Sequence, residues 1–263
     1  MRITDRSRFH LMDCAVQAVP ENGEVPAGVA AEHWMDVWIN ERLAMRIVCT
    51  PEHLDELVVG RLLTEGLVQR PEDIREIYLC EQGLRAKVLL REGSGGWLDA
   101  ADAPAVSSCC TDNRTLLRSR LETAPVDPIP WDPAWLLQAA GRMREEAPLY
   151  SETHAVHACY LVREDRILCC REDIGRHNAL DKAVGWGCLQ GIDLTRCLLF
   201  TTGRMPSDMV SKAVRARVPV LASKTYPSDL GIQLAIQARL TLATVRPGGE
   251  LLVWNDGTRQ KGE

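Results

Sequence analysis

Two adjacent cysteines, Cys109 and Cys110, stand in a run of small polar residues, with Ser107 and Ser108 before them and Thr111, Asp112 and Asn113 after. A polar loop is a poor setting for a structural thiol. A thiolate within reach of solvent is a nucleophile and can hold a second sulfur as a persulfide. A disulfide between the two would be strained, because consecutive Cα atoms lie about 3.8 Å apart and an ordinary bridge spans roughly 4.4–6.8 Å. The plainer reading is that one or both are incidental.

A second chemistry is anion binding. The densest polar segment runs Arg171-Glu172-Asp173-Ile174-Gly175-Arg176-His177-Asn178-Ala179-Leu180-Asp181-Lys182, directly after the apolar Ile167-Leu168-Cys169-Cys170. A strand end, a glycine turn and a helix start make a ligand position in layered α/β proteins, because free N–H groups at the helix start attract an anion. Arg176 adds charge there, and His177 and Asp181, four apart, are expected to share a helix face as an oriented pair. Thr201-Thr202-Gly203-Arg204-Met205-Pro206-Ser207 repeats the arrangement, with Arg204 as the phosphate partner. Each segment also reads as an ordinary capped turn. Lys212, four residues after Asp208, is expected to form a surface ion pair with it.

Metal chemistry is weaker. His154, His157 and Cys159, with Cys169-Cys170 on the following strand, could supply soft ligands. His157 and Cys159 fall in an apolar strand pattern, however. The H-x-E and P-C-x-x-C signatures of a zinc nucleotide deaminase are missing, and none of the ten cysteines forms C-x-x-C. No tightly bound metal is expected.

These residues need a scaffold. Alternation over 35–39 and 43–49 around Asn40-Glu41 predicts a β-hairpin. Thr50-Pro51 predicts a helix start, with Leu54, Leu57, Val58 and Leu62 as its apolar stripe and Gly66 as its end. Residues 74–80 and 84–90 predict another strand pair, and 94–105 a loop. Pro125, Pro128, Pro130 and Pro133 mark a linker. Beyond it come a helix over 134–146, strands at 156–162, 166–170, 197–202, 218–223, 240–245 and 251–254, and helices at 176–184, 206–217 and 228–238. Strands alternating with helices give an α/β layered sheet. The expected division is a small N-terminal domain over 1–124, a linker over 125–133 and a C-terminal domain over 134–263.

The chain has 263 residues, 46% of them hydrophobic, and a net charge of −5, which disfavours a general nucleic-acid binder. No apolar run suits a membrane span, and the N-terminus lacks the apolar core of a secretory signal. A cytoplasmic protein is expected, with no membrane or nucleic-acid partner.

The motifs resemble those of the formate dehydrogenase accessory sulfurtransferases, the FdhD family, from about Glu32 to Trp254. Glu172 to Lys182 is close to the family's E-D-[VI]-G-R-H-N-A-[VL]-D-K. Thr50-Pro51 to Glu65-Gly66 is similar to its P-x-D-L-E-x-L-x-x-G-x-x-x-E-G. Gly203-Arg204 with Met209-Val210 and Lys212-Ala213 resembles its S-G-R-x-S-x-E-M-V-x-K-A. The resemblance implies an α+β chain: a smaller N-terminal β-hairpin/helix part and a three-layer C-terminal domain like the cytidine deaminases without their zinc. It implies a homodimer. It implies that sulfur from a cysteine desulfurase passes to a molybdenum bis(molybdopterin guanine dinucleotide) cofactor, held as substrate, before that cofactor enters the formate dehydrogenase catalytic subunit. The persulfide loop falls at Cys109-Cys110. The cofactor segment falls at Val245-Arg246-Pro247-Gly248-Gly249-Glu250, and with Arg176, His177, Gly203, Arg204 and His157 it makes the candidate site for a GDP-like nucleotide.

Two departures from the family pattern matter. Ser108-Cys109-Cys110-Thr111-Asp112 replaces C-G-x-C-G, and His154 stands where T-G-G-x-H-x-A has glycine. Two functions therefore compete: a sulfurtransferase with a persulfide on Cys110 or Cys109, and a non-catalytic cofactor chaperone that needs no reactive thiol. A nucleotide hydrolase is weakened by the missing metal ligands.

Overall fold

The computed structural model describes residues 1–5, 28–94, 106–107 and 124–259. Cys109, Cys110 and the loop expected over 94–105, apart from its first residue, lie outside the described residues.

The first sheet comprises β1 (Arg2–Asp5), β2 (His33–Ile39), β3 (Arg42–Cys49), β4 (Ile74–Leu79), β5 (Arg85–Leu90) and β6 (Val106–Ser107), in the order β1-β4-β5-β2-β3-β6. The hairpin forms as its alternation requires. Met35, Val37 and Ile39 are buried, and Asn40 and Glu41 turn the chain with φ of 44° and 68°. Such primed turns match the twist of the flanking strands.

Helix α1 (Leu54–Thr64) starts later than Thr50-Pro51 predicts. Thr50 caps nothing there. Its N–H and hydroxyl instead bond the Asp173 carboxylate at 3.0 and 3.2 Å, a tertiary partner that local pattern cannot reveal. Gly66, with φ of 72°, ends the helix: its N–H donates to the Leu63 carbonyl and that of Leu67 to Leu62, the pairing of a Schellman stop. Residues Leu54 and Glu56 through Thr64 are all buried. The helix lies between the first sheet and α5 (Arg176–Leu189). The crossing is close because both helices offer glycine there. A Cβ on Gly60 would lie 1.8 Å from the Asp181 carbonyl oxygen, and one on Gly185 would lie 1.8 Å from that of Glu56.

The second sheet comprises β7 (His157–Arg163), β8 (Arg166–Asp173), β9 (Leu198–Thr201), β10 (Val220–Ser223), β11 (Thr241–Val245) and β12 (Leu251–Asn255), in the order β12-β11-β10-β9-β7-β8. β9, β10 and β11 are parallel, linked by α6 (Ser207–Arg215) and α7 (Asp229–Gln237). All residues of these three strands are buried, which explains why they are mostly apolar and do not alternate. One face (Leu161, Leu199, Leu221, Leu242) packs on α5, α6 and α7. The other (Tyr160, Phe200, Ala222, Ala243) packs on α2 (Pro133–Gly141) and Ala147. The helix expected over 134–146 is interrupted after Gly141 and resumes as α3 (Met143–Glu146); α4 (Pro148–Thr153), which the pattern did not predict, follows.

The proline-rich stretch is anchored. Val126 is buried and donates its N–H to the Ala238 carbonyl, and Asp132 caps α2. One core cluster joins residues from both sides of that stretch, Met35 to Leu90 with Cys159 to Leu242. Among the described residues no helix is long and apolar enough to cross a membrane.

Candidate functional site

The pairing of the second sheet brings five strand ends to one edge. Ser223 of β10 pairs with Thr201 of β9 and Thr244 of β11, so three parallel strands finish within one residue of each other. β7 runs the opposite way, with Cys159 opposite Thr201 and His157 opposite Asp173. The amino end of β7 and the carboxyl end of β8 therefore join the same edge. Edges of this kind, outside the carboxyl ends of strands, are where open α/β sheets bind ligands. From β8 to β11 is four strand intervals, about 19 Å at the usual spacing, which suits an elongated molecule.

The segment 172–182 builds the near end of this edge. Asp173 is wholly buried. It takes Lys182 at 2.7 Å, the Thr50 hydroxyl, the Asn178 amide at 2.8 Å and the Gly175 N–H at 2.9 Å. Asn178 also donates to the Val48 carbonyl at 2.8 Å, fastening the end of β3 to the start of α5. The expected His177–Asp181 pair does not form. Asp181 faces α1 and meets Arg61 at 2.9 Å, Lys212 at 3.0 Å and the Thr64 hydroxyl at 2.6 Å. His177 bonds Asp208 at 2.8 Å, at the start of α6. Nor does Lys212 pair with Asp208 at the surface; it is buried against Asp181 and Glu65. A helix covered all round has no solvent face on which an i,i+4 pair must close.

The remaining sequence candidates gather on the edge. Gly203 sits against Arg176 so tightly that a Cβ would lie 2.7 Å from the arginine Cβ. The Arg176 Nε is buried and has no hydrogen-bond partner among the described residues, while Arg204 is exposed. His157 stands beside Thr202 at 3.4 Å; burial first, then Arg176 and Arg204, lower its pKa. Burial lowers that of His177 as well, against the pull of Asp208. Val245 ends β11, and Arg246 to Glu250 form the exposed hairpin turn into β12, with Gly248 and Gly249 at φ of 92° and 85°. Arg246 pairs with Glu250 at 2.7 Å.

The turns are stitched together. The Ser223 hydroxyl donates to the Gly203 carbonyl at 2.7 Å, and the Thr225 N–H donates back to Ser223. The Thr244 hydroxyl donates to the Thr225 carbonyl, and the Trp254 indole N–H to Thr244. Turns held this way are preorganised and would need little rearrangement to take a ligand.

Sequence reasoning missed Lys224 and Tyr150. Lys224 follows the last residue of β10, without the glycine turn that drew attention to Gly203 and Gly175. Its Nζ lies 4.4 Å from the Tyr150 ring centroid and bonds the Tyr150 hydroxyl. The Tyr150 N–H bonds the Glu172 carboxylate at 2.5 Å, so Tyr150, through its backbone and its hydroxyl, links β8 to the residue after β10. Burial pushes Glu172 up to about 7, the N–H of Leu149 opposing it.

Six of the described cysteines are poor nucleophiles. Burial pushes Cys49, Cys169 and Cys188 up to about 12, Cys159 and Cys170 well above the ordinary thiol value, and Cys197 upward. Thiols of this kind carry little thiolate at neutral pH. Among the described residues no three His, Cys, Asp or Glu side chains converge to hold a metal ion.

Residues 30–261 match the model of the FdhD/NarQ family. A sulfur carrier protein FdhD of Bacillus subtilis is 31% identical over 235 residues, covering 87% of this chain and 88% of its own. One from Listeria monocytogenes is 27% identical over 242 residues, with 88% and 91% covered. The crystal structure of a formate dehydrogenase accessory protein from Desulfotalea psychrophila superposes with a TM-score of 0.71 at 30% identity, covering 86% of this chain and 88% of that one.

Proposed function

We propose that this chain, which belongs to the FdhD/NarQ family, is a sulfur carrier for formate dehydrogenase maturation. It takes sulfur from a cysteine desulfurase as a persulfide on Cys110 or Cys109. It delivers that sulfur to a molybdenum bis(molybdopterin guanine dinucleotide) substrate lying along the carboxyl edge of the second sheet. In the loading step the cysteine thiolate attacks the outer sulfur of the donor's persulfide; one S–S bond forms, one breaks, and the donor thiolate leaves. The guanine dinucleotide phosphates are met by Arg176, Gly203, Arg204 and the Val245–Glu250 turn, with His157 and His177 beside them. The protein acts in the cytoplasm as a homodimer that docks on the formate dehydrogenase catalytic subunit.

One observation carries this reading. β6 is parallel to β3, with Ser107 opposite Arg46. β3 runs on from Arg46 to Cys49, and Thr50 then bonds Asp173 at the anion edge. β6 is thus directed toward that edge at Ser107, which precedes Cys109 by two residues in the sequence. The raised pKa values of Cys49, Cys159, Cys169, Cys170, Cys188 and Cys197 support a sulfur-carrying cysteine outside that set.

Replacing both Cys109 and Cys110 with Ala tests it, with formate dehydrogenase activation as the readout. Activation is lost while folding and GDP binding persist. A double variant that matures the dehydrogenase as well as the wild type would make the protein a cofactor chaperone without a persulfide.

A further inference from the structure

We infer that Lys224, aimed by Tyr150, is a phosphate-binding residue of the carboxyl edge, reading the charge of a nucleoside diphosphate between Arg204 and Arg246. The inference rests on the proposed cofactor site and adds to it two residues that carry no recognisable motif.

Three parallel strands end within one residue of level, and each is followed by a basic residue: Arg204 three positions past β9, Lys224 directly past β10 and Arg246 directly past β11. β10 lies between the other two, so Lys224 occupies the middle of the row. Arg246 has Glu250 as a partner, whereas among the described residues no carboxylate pairs with Lys224. A lysine with no role at the edge would extend its ammonium into water, where solvation is best. This one is half-buried, with its ammonium bonded to the Tyr150 hydroxyl, 4.4 Å from the ring centroid. The backbone holds the base of the side chain too, through the Lys224 N–H to the Thr201 carbonyl and the Ser223–Gly203 bond beside it. Tyr150 is itself fastened at its N–H by Glu172. An unneutralised ammonium held in one place, in a row of cations on rigid turns, is suited to a pyrophosphate, whose oxygens present several acceptors across neighbouring positions. Tyr150 acts here as a positioning residue. Its ring and hydroxyl keep the ammonium at the edge without cancelling its charge.

The test is calorimetry on the full chain with GDP as ligand, for the wild type, Lys224→Met, Lys224→Arg, Tyr150→Phe and the Lys224→Met/Tyr150→Phe double variant, with thermal melts to establish folding. Losing one charge-assisted phosphate contact weakens GDP binding by about tenfold or more. Lys224→Met should show that loss, and Lys224→Arg, which keeps the charge, should recover most of it. Tyr150→Phe should weaken binding several-fold when Lys224 is present and have no further effect in the Lys224→Met background. A merely structural tyrosine would weaken binding in both. Wild-type protein that binds GDP together with a folded Lys224→Met variant of equal affinity would overturn the inference and leave the cofactor site standing. Wild-type protein that does not bind GDP would overturn both. If Lys224→Met does not fold, the decision passes to Lys224→Arg and Tyr150→Phe: unchanged affinity in Tyr150→Phe would reject the positioning role.

Discussion

Lys182 and Asp173 form an ion pair 2.7 Å long with both side chains fully buried, at the point where the end of β8 meets the start of α5. The pair is closed by Thr50, which donates to Asp173 and accepts from Lys182 at 2.7 Å, so the end of β3 is drawn into the same knot. The strand that runs beside β6 and the turn that carries Arg176 are thereby held by one set of polar contacts.

Breaking this pair on one side leaves a buried charge without a partner, which costs about 3–5 kcal/mol. Lys182→Met and Asp173→Asn should each lower the unfolding free energy by that order, read by urea denaturation. Replacing both together should cost less than the sum of the single changes. Additive losses would show that the two charges do not depend on each other.

His154 occupies the left-handed region, with φ of 54°, as the residue that closes α4; its N–H donates to the Tyr150 carbonyl. This explains why the family pattern expects glycine there. A non-glycine residue in that conformation is strained by roughly 1–2 kcal/mol. The side chain is exposed, and its edge-to-face contact with Tyr150, at 6.0 Å between centroids, offsets only part of this. His154→Gly should therefore stabilise the chain by about 0.5–1 kcal/mol, seen as a higher melting temperature. A lower one would mean that the ring contact outweighs the backbone strain.

The two edge histidines predict a pH dependence of ligand binding. Burial lowers both His157 and His177 below the ordinary histidine value, so both are largely neutral at pH 7 in the free protein. A polyanion beside them favours the protonated form and raises their pKa values. Protons are then taken up on binding, and affinity for GDP rises as pH falls from neutrality toward the free-protein values. Calorimetry in buffers of different ionisation enthalpy should detect this uptake, and His157→Gln should reduce it. In the same assay Arg204→Ala should weaken GDP binding by about tenfold, the worth of one charge-assisted contact. Proton release, or no exchange, would place the anion away from these rings.

Much of this arrangement is legible in the sequence. The alternation of Met35, Val37 and Ile39 and the apolar runs of β9, β10 and β11 predict strands because each burial pattern has its own period. The Gly175 and Gly203 turns announce themselves by glycine and arginine after an apolar run. What fails is partner choice over distance. Thr50 reads as a helix cap but belongs to Asp173, 123 residues away. Asp181 reads as the partner of His177 but belongs to Arg61, 120 residues away. Both errors arise where α1 and α5 are buried on every side, so that helical spacing no longer tells which face a side chain serves. Lys224 escapes notice for the opposite reason: no glycine follows β10 as Gly203 follows β9, and only the near-level ending of three parallel strands gives it a place.

The central claim is that Cys109 or Cys110 carries sulfur. The most direct measurement is intact-protein and peptide mass spectrometry after incubation with a cysteine desulfurase and cysteine, without reductant. The account predicts the mass of one added sulfur atom on the peptide containing Cys109 and Cys110, removed by a brief reducing treatment and absent when both are Ala. It predicts none on the buried Cys49, Cys159 or Cys169, whose thiols are pushed far above neutrality. A wild-type peptide that stays free of added sulfur while the desulfurase is demonstrably active, or sulfur found on the buried cysteines instead, would contradict it.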